Sequence, residues 1–238
     1  MRHILFPTFF LSATLMIALF ACKNTASPAV NFEALDDAAK NDAANAVASM
    51  EMAAGLEVTL FAAEPTLVNP TNLHVDHRGR VWVIEGYNYR NGLNPENPYR
   101  KEGDRILILE DTNGDGISDQ SKVYYQGEDI NAALGIFVMG NKVIVSHSPH
   151  IFVFTDTDGD DLPDQRDTLF SGIQGDQDDH GVHAFSFGPD GRLYFNMGNA
   201  GKTLFDKNGK PVLDPLGRPI ETTGKPYRQG LALRCNID

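Results

Sequence analysis

Two stretches of this sequence place oxygen-bearing residues at a spacing that suits a cation. Asp111-Thr-Asn113-Gly-Asp115-Gly116-Ile117-Ser-Asp119 sets side-chain oxygens at positions one, three, five and nine, with glycine at position six, where the chain must turn sharply. The carbonyl of Ile117 supplies a main-chain ligand at position seven. Asp156-Thr-Asp158-Gly-Asp160-Asp161-Leu162-Pro-Asp164 repeats the pattern, with the Leu162 carbonyl at position seven. Its Asp161 stands where glycine is expected, and Asp tolerates that backbone better than most residues. Calcium is the cation these sets suit, because it takes about six to eight oxygens, mixes carboxylate with carbonyl and accepts irregular geometry. Position twelve holds Lys122 in one stretch and Asp167 in the other, not the Glu of an EF-hand, and the flanks read as strands. Two readings fit: a structural calcium that clamps each loop, or a metal-free Asp and Gly turn.

A second constellation is Gln177-Asp178-Asp179-His180, followed by Gly181-Val-His183. An imidazole titrates near neutral pH and suits proton abstraction, and an adjacent carboxylate can fix its tautomer. The alternative is that His180 and His183 only satisfy hydrogen bonds under a loop. His74, His77, His147 and His150 share no spacing and read as surface or turn residues.

The elements that must position these groups are hairpins. Leu73 to Ile84, Gly135 to Val145 and Phe185 to Phe195 each flank a tight Gly, Asn or Asp turn with apolar and β-branched residues. A second kind of hairpin, Arg105–Glu110 to Val123–Tyr125 and Ile151–Thr155 to Thr168–Phe170, carries the acidic loops. The two kinds alternate, giving four strands per unit, and the acidic loops start 45 residues apart, at Asp111 and Asp156. That is the period of a propeller blade. No long amphipathic helical stretch follows Gly55, so the sequence predicts an all-β chain, with an open β-sandwich as the other architecture. Arg234 to Asp238 reads as a strand running into a turn, so the expected propeller is truncated at about three blades.

The stretch from Asp179-His180 through Phe187-Gly-Pro-Asp-Gly191 to Leu193-Tyr194 and Gly198-Asn-Ala-Gly201 resembles the soluble, quinone-dependent glucose and sorbosone dehydrogenases. From Leu56-Glu-Val-Thr-Leu-Phe-Ala-Ala-Glu-Pro65 through Arg105 to Gly116 and on to His180, nearly the whole exported chain resembles the bacterial propeller proteins called membrane-bound dehydrogenases, often followed by a cytochrome c-type domain. The resemblance implies a six-bladed-type propeller with pyrroloquinoline quinone and calcium as cofactors, and oxidation of a sugar or related alcohol with a cytochrome-like acceptor. It implies His180 as the base that takes the hydroxyl proton, Asp179 as its neighbour and Arg228 as the group that stabilises the reduced quinone. Asn199 departs from an Asp in the sugar enzymes. The competing function is a non-catalytic, calcium-stabilised propeller that binds a glycan or a protein.

The net charge of -12, without basic clusters, argues against nucleic-acid or anionic-membrane partners. At the N-terminus, Arg2 and His3 precede an apolar run from Ile4 to Phe20, and Leu19-Phe20-Ala21-Cys22 resembles a lipobox, with Phe20 in place of the usual small residue. A retained membrane anchor is the competing reading, although Pro7 interrupts the run. Either reading puts the remainder outside the cytoplasm, in the cell envelope facing the periplasm or the cell surface. The expected layout is a signal peptide over 1–22 with a lipidated Cys22, a tether over 23–52 that is Ala-rich enough for a short helix, and the partial propeller over 53–238. With Cys22 acylated, Cys235 has no partner for an internal disulfide. Mass spectrometry of the mature N-terminus is expected to find it starting at an acylated Cys22; an unmodified Cys22 or a retained Arg2 would overturn this.

Overall fold

Side-chain alternation along the strands decides how the sheets stack. In the computed structural model, which describes residues 30–93, 98–173, 180–198, 203–221 and 230–237, β1 (Pro70–Val75), β2 (Val81–Glu85), β3 (Asp104–Glu110) and β4 (Gln120–Gly127) form a four-stranded antiparallel sheet in that order. A second meander follows, made of β5 (Gly135–Met139), β6 (Lys142–His147), β7 (His150–Thr155) and β8 (Gln165–Ser171). A third sheet consists of β9 (Phe185–Phe187), β10 (Leu193–Met197) and β12 (Leu231–Cys235). The first strands of the three sheets lie side by side, β1 against β5 and β5 against β9. The chain is all-β, and consecutive meanders stacked face to face around their first strands are blades of a partial β-propeller.

Each blade buries residues of one parity against one neighbour and residues of the other parity against the next. Trp82, Ile84, Ile106, Ile108 and Tyr124 of blade one pack on Val143, Val145, Phe152 and Phe154 of blade two. The opposite face of blade two, with Ile144, Ile151 and Val153, packs on Leu193, Phe195 and Met197 of blade three. A sheet covered on both faces needs apolar residues at consecutive positions, which is why Ile151-Phe-Val-Phe154 is an unbroken apolar run. The outer face of blade one, built on Val83, Leu107 and Leu109, is covered in part by Phe61, Ala62 and Leu67 from the segment ahead of β1. Leu73 and Val75 on that same face stay 58% and 52% exposed.

The Ala-rich N-terminal stretch forms two short helices, Asp37–Lys40 and Ala43–Ala46, whose first N–H groups donate to the side chains of Asp36 and Asp42. Between β10 and β12 the chain leaves blade three. Its short strand β11 (Phe205–Asp206) pairs with the outer edge of β8 in blade two, followed by nested turns at Gly209 and Gly217. Composition did not point to this arm, because its short pairings carry no alternation.

Glu85, at the end of β2 and fully buried, accepts from Arg105 Nε and Nη2 at 2.6 Å each, from Arg100 Nη1 at 2.9 Å and from the Val68 N–H at 2.8 Å. Burial alone would raise its carboxyl, but the hydrogen bonds from Arg105 and Arg100 hold it below its ordinary value. Asp104, also fully buried, accepts from the Asn88 and Ala132 N–H groups and so ties β3 to the connector entering blade two; burial leaves its carboxyl raised. Because the folded value of Glu85 is depressed, its contribution to stability is present above the ordinary carboxylate range and is lost as pH falls through the folded value. Glu85→Gln is expected to cost about 3 kcal/mol at neutral pH, near the low end for a broken buried pair since both arginines keep some solvent contact. It should also flatten the acid side of a melting-temperature titration, and an unchanged acid limb would refute the assignment.

Candidate functional site

The meander topology separates the chain's chemistry into two ends. Both acidic loops join the third and fourth strands of their blades, so they sit with the β1–β2 turn at the hairpin end. The connectors between blades, including residues 180–184, lie at the other end, where β1, β5 and β9 begin.

At the hairpin end the first loop curls around Asp111, whose carboxylate accepts from the N–H groups of Gly114 and Gly116 at 2.7 Å and of Asp115 at 3.3 Å. Asn113 Oδ1 accepts from the Asp115 N–H and Asp115 Oδ1 from the Ile117 N–H; Asp119 accepts from the Thr112 N–H and Oγ1. The second loop repeats this frame: Asp156 accepts from the Gly159 and Asp161 N–H groups, Asp158 from Asp160, Asp160 from Leu162, and Asp164 from Thr157. The equivalence read from spacing therefore holds at the level of individual hydrogen bonds. Asp161 takes up the left-handed backbone of position six, with φ of 59°, as Gly116 does with 85°.

The N–H donors led by Gly116 hold Asp111 below the usual range, and the Thr157 hydroxyl and N–H do the same for Asp164. In the second loop Asp156, Asp158 and Asp164 bring ligand oxygens within 4.8 Å of one another. No other trio of acidic, histidine or cysteine side chains among the described residues converges so closely. All-oxygen, anionic and partly backbone-supported, this set fits a hard cation.

At the strand-start end the segment 180–184 is held by all three blades. Asn72 Nδ2 of blade one donates to the carbonyl of His183 at 2.8 Å, and Ser146 Oγ of blade two donates to that of Val182 at 2.5 Å. The Gly198 N–H of blade three donates to the carbonyl of Gly181 at 3.0 Å. Gly198 lies so close that a Cβ there would stand 2.2 Å from the His180 carbonyl oxygen. The His180 side chain is exposed, whereas that of His183 is half-buried. An exposed imidazole on a main chain clamped from three directions can meet a ligand without reorganisation of its backbone.

Asp179 and Arg228 lie outside the described residues, as does Cys22. Of the other histidines, His77 is exposed in its turn, but His74 corrects the surface reading. It sits within β1, its Nδ1 accepts from the Val138 N–H at 3.3 Å, and its ring lies 4.1 Å from that of Phe137. Burial lowers its imidazole below the ordinary value. The residues that spacing missed are Asp76, Arg80, Trp82 and Tyr124: Arg80 meets Asp161 of the second acidic loop across the blade interface, Asp76 bonds Arg80 and Trp82, and the Tyr124 ring packs on Trp82. The available signal was Asp76 and Arg80, opposite charges four residues apart across the turn of the hairpin.

The family described as "Domain of unknown function (DUF7133)" matches residues 42–218. No curated protein matches the chain. Among solved structures, the holo form of the pyranose dehydrogenase PQQ domain from Coprinopsis cinerea is 19% identical with a TM-score of 0.42, over 67% of this chain and 37% of that one. The calcium structure of the carbohydrate-active enzyme of family AA12 from Trichoderma reesei is 14% identical with a TM-score of 0.42, over 65% of this chain and 39% of that one. The chain spans about two fifths of the length of these structures.

Proposed function

The chain belongs to the DUF7133 family, and from that premise we propose that it is a calcium-stabilised propeller that oxidises a sugar or related alcohol at its His180 end. The observation that carries this reading is the contrast at residues 180–184: an exposed imidazole on a main chain fixed by Asn72, Ser146 and Gly198. It is supported by the sequence likeness of Asp179-His180 and Gly188-Pro189-Asp190-Gly191 to the sugar dehydrogenases.

In this mechanism His180 accepts the proton of the substrate hydroxyl as the carbon is oxidised to a carbonyl, and Asp179 orients the imidazole. Pyrroloquinoline quinone, when bound, supplies the hydride acceptor. Arg228 would be the group whose permanent positive charge stabilises the reduced quinone. Fixing the His180 main chain limits the reorganisation that general-base catalysis would otherwise require. A cytochrome c-type protein would be the electron acceptor, and an acylated Cys22 would tether the chain to the envelope. The acidic loops, at the opposite end from His180, serve the fold and not the reaction, each held around a structural calcium.

In the full-length protein, chelation is expected to lower the melting temperature. An ion that binds only the folded state at about a hundred times its Kd stabilises by about 2.7 kcal/mol, worth some 2–4 °C per kcal/mol in a domain of about this size. If no calcium copurifies and chelator leaves melting unmoved, the loops are plain turns. With the quinone and a dye acceptor supplied, His180→Ala should lose about a hundredfold to ten-thousandfold in turnover, while His183→Ala keeps most of the rate. Absence of quinone binding and of turnover across a panel of sugars and alcohols would favour the glycan- or protein-binding platform instead. Turnover retained in His180→Ala would discard the base and leave the propeller standing.

A further inference from the structure

The two acidic loops share a frame but touch different parts of the molecule. The first loop reaches the segment ahead of β1: the Ser118 N–H donates to the Phe61 carbonyl at 2.8 Å, and Gly116 lies against Thr59. The second loop reaches blade one. Its Asp161, at the position glycine occupies in the first loop, takes Arg80 Nη1 through both carboxylate oxygens at 2.9 Å. Arg80 is 6% exposed, and its Nε donates to Asp76 Oδ2 at 2.9 Å. That same oxygen accepts from Trp82 Nε1 at 2.9 Å. An unbroken chain of polar contacts therefore runs from the corner of the second loop to an indole inside the interface of blades one and two. The Asp161 N–H donates to Asp156 Oδ2 at 2.9 Å, so a candidate ion ligand is hydrogen-bonded directly to the residue that starts the chain.

Tyr124 supplies an independent observation at the same interface. It is 2% exposed, and its hydroxyl has no hydrogen-bond partner among the described residues. Its ring stands edge-on to Trp82 with centroids 4.9 Å apart and packs on Phe154, the residue two before Asp156 in sequence. Lys122, two residues earlier on the same face of β4, donates to the Asp160 carbonyl and brings that face against the second loop. The carboxylates whose charge bears on the phenol are those of Asp156, Asp161 and Asp164. A buried hydroxyl donor without a protein acceptor, beside carboxylates already engaged by backbone N–H groups, is matched by an ordered water held on a cation.

We propose that calcium at Asp156, Asp158 and Asp164 is coupled to the blade interface, with Tyr124 donating to an oxygen in the ion's shell and Asp161, Arg80 and Asp76 carrying the coupling to Trp82. This rests on the calcium reading of the loops. Its consequence is a division of labour: the second loop's ion locks blade one to blade two, and the first loop's ion secures the segment over the outer face of blade one. Asp161 is then a link, and its departure from glycine at position six is the feature that makes the second loop different.

The test uses the full-length protein, with calcium binding measured by equilibrium dialysis alongside the emission of Trp82, the sole tryptophan of the sequence. Calcium is expected to change the emission and acrylamide accessibility of Trp82 in the wild type. The change should vanish in Asp158→Asn and persist in Asp115→Asn. Asp161→Gly gives the second loop the residue of the first, so it should keep its calcium while losing most of the Trp82 response. Tyr124→Phe should bind calcium about three- to tenfold more weakly, the effect of losing one hydrogen bond to the ion's shell. A phenol merely buried without a partner would instead leave affinity unchanged on removal of its hydroxyl. A full Trp82 response in Asp161→Gly, or unchanged affinity in Tyr124→Phe, overturns the coupling. No calcium bound by dialysis in any form fails the calcium reading itself, and the two failures are told apart because binding and emission are read separately.

Discussion

The structure depends on blade two being buried on both faces. A sheet with one wet face tolerates polar residues at every second position; a sheet between two others does not. Trp82, Ile84 and Tyr124 on one side and Leu193, Phe195 and Met197 on the other leave β6 and β7 no solvent-facing position along their centres. Fully burying one large apolar side chain contributes about 1.5–3 kcal/mol, so these two interfaces outweigh any single polar contact. They also set the stacking, since sliding a strand by one residue would exchange its two apolar faces and break both interfaces at once.

Stacking sheets in this way leaves the strand ends as the places where polar chemistry can stand, and the two ends solve different problems. At the strand-start end, buried Glu85 and Asp104 are each satisfied: Glu85 by two arginines and a backbone N–H, Asp104 by two backbone N–H groups. The surroundings move the two carboxyls in opposite directions, because Glu85 gains cationic donors that offset its burial and Asp104 does not. At the same end, the main chain of residues 180–184 is fastened by Asn72 of blade one, Ser146 of blade two and the Gly198 N–H of blade three. At the hairpin end, carboxylates accept hydrogen bonds from backbone N–H groups close to solvent, an arrangement suited to an ion.

The acidic loops were legible in the sequence because their geometry is local: a side chain at position one reaches N–H groups three to five residues on, and spacing alone specifies that. The hairpins were legible for the same reason, since period-two alternation broken by Gly, Asn or Asp is a property of a dozen consecutive residues. His180 was visible as a member of a polar cluster, but the contacts that hold its segment come from Asn72, Ser146 and Gly198, and Asn72 is 111 residues from the His183 it binds. His74 went the other way. Its place in β1 could be read, but the burial of its ring against Phe137 arises only when β1 meets β5.

By itself, then, the sequence determined strand, turn and loop, the all-β class, the repeat of the acidic loops and the chemistry each motif could perform, because those depend on neighbours a few residues apart. The tertiary structure decided which of those motifs share an end of the molecule, that Arg80 and Asp161 meet across 81 residues, and that Tyr124 lies buried in the interface next to the second loop. It also decided that the arm between β10 and β12 returns to the edge of blade two. The physical reason is the same in each case. Contacts between blades are set by the register and stacking of whole sheets, which only the summed burial of both faces specifies, and no short window of residues contains that sum.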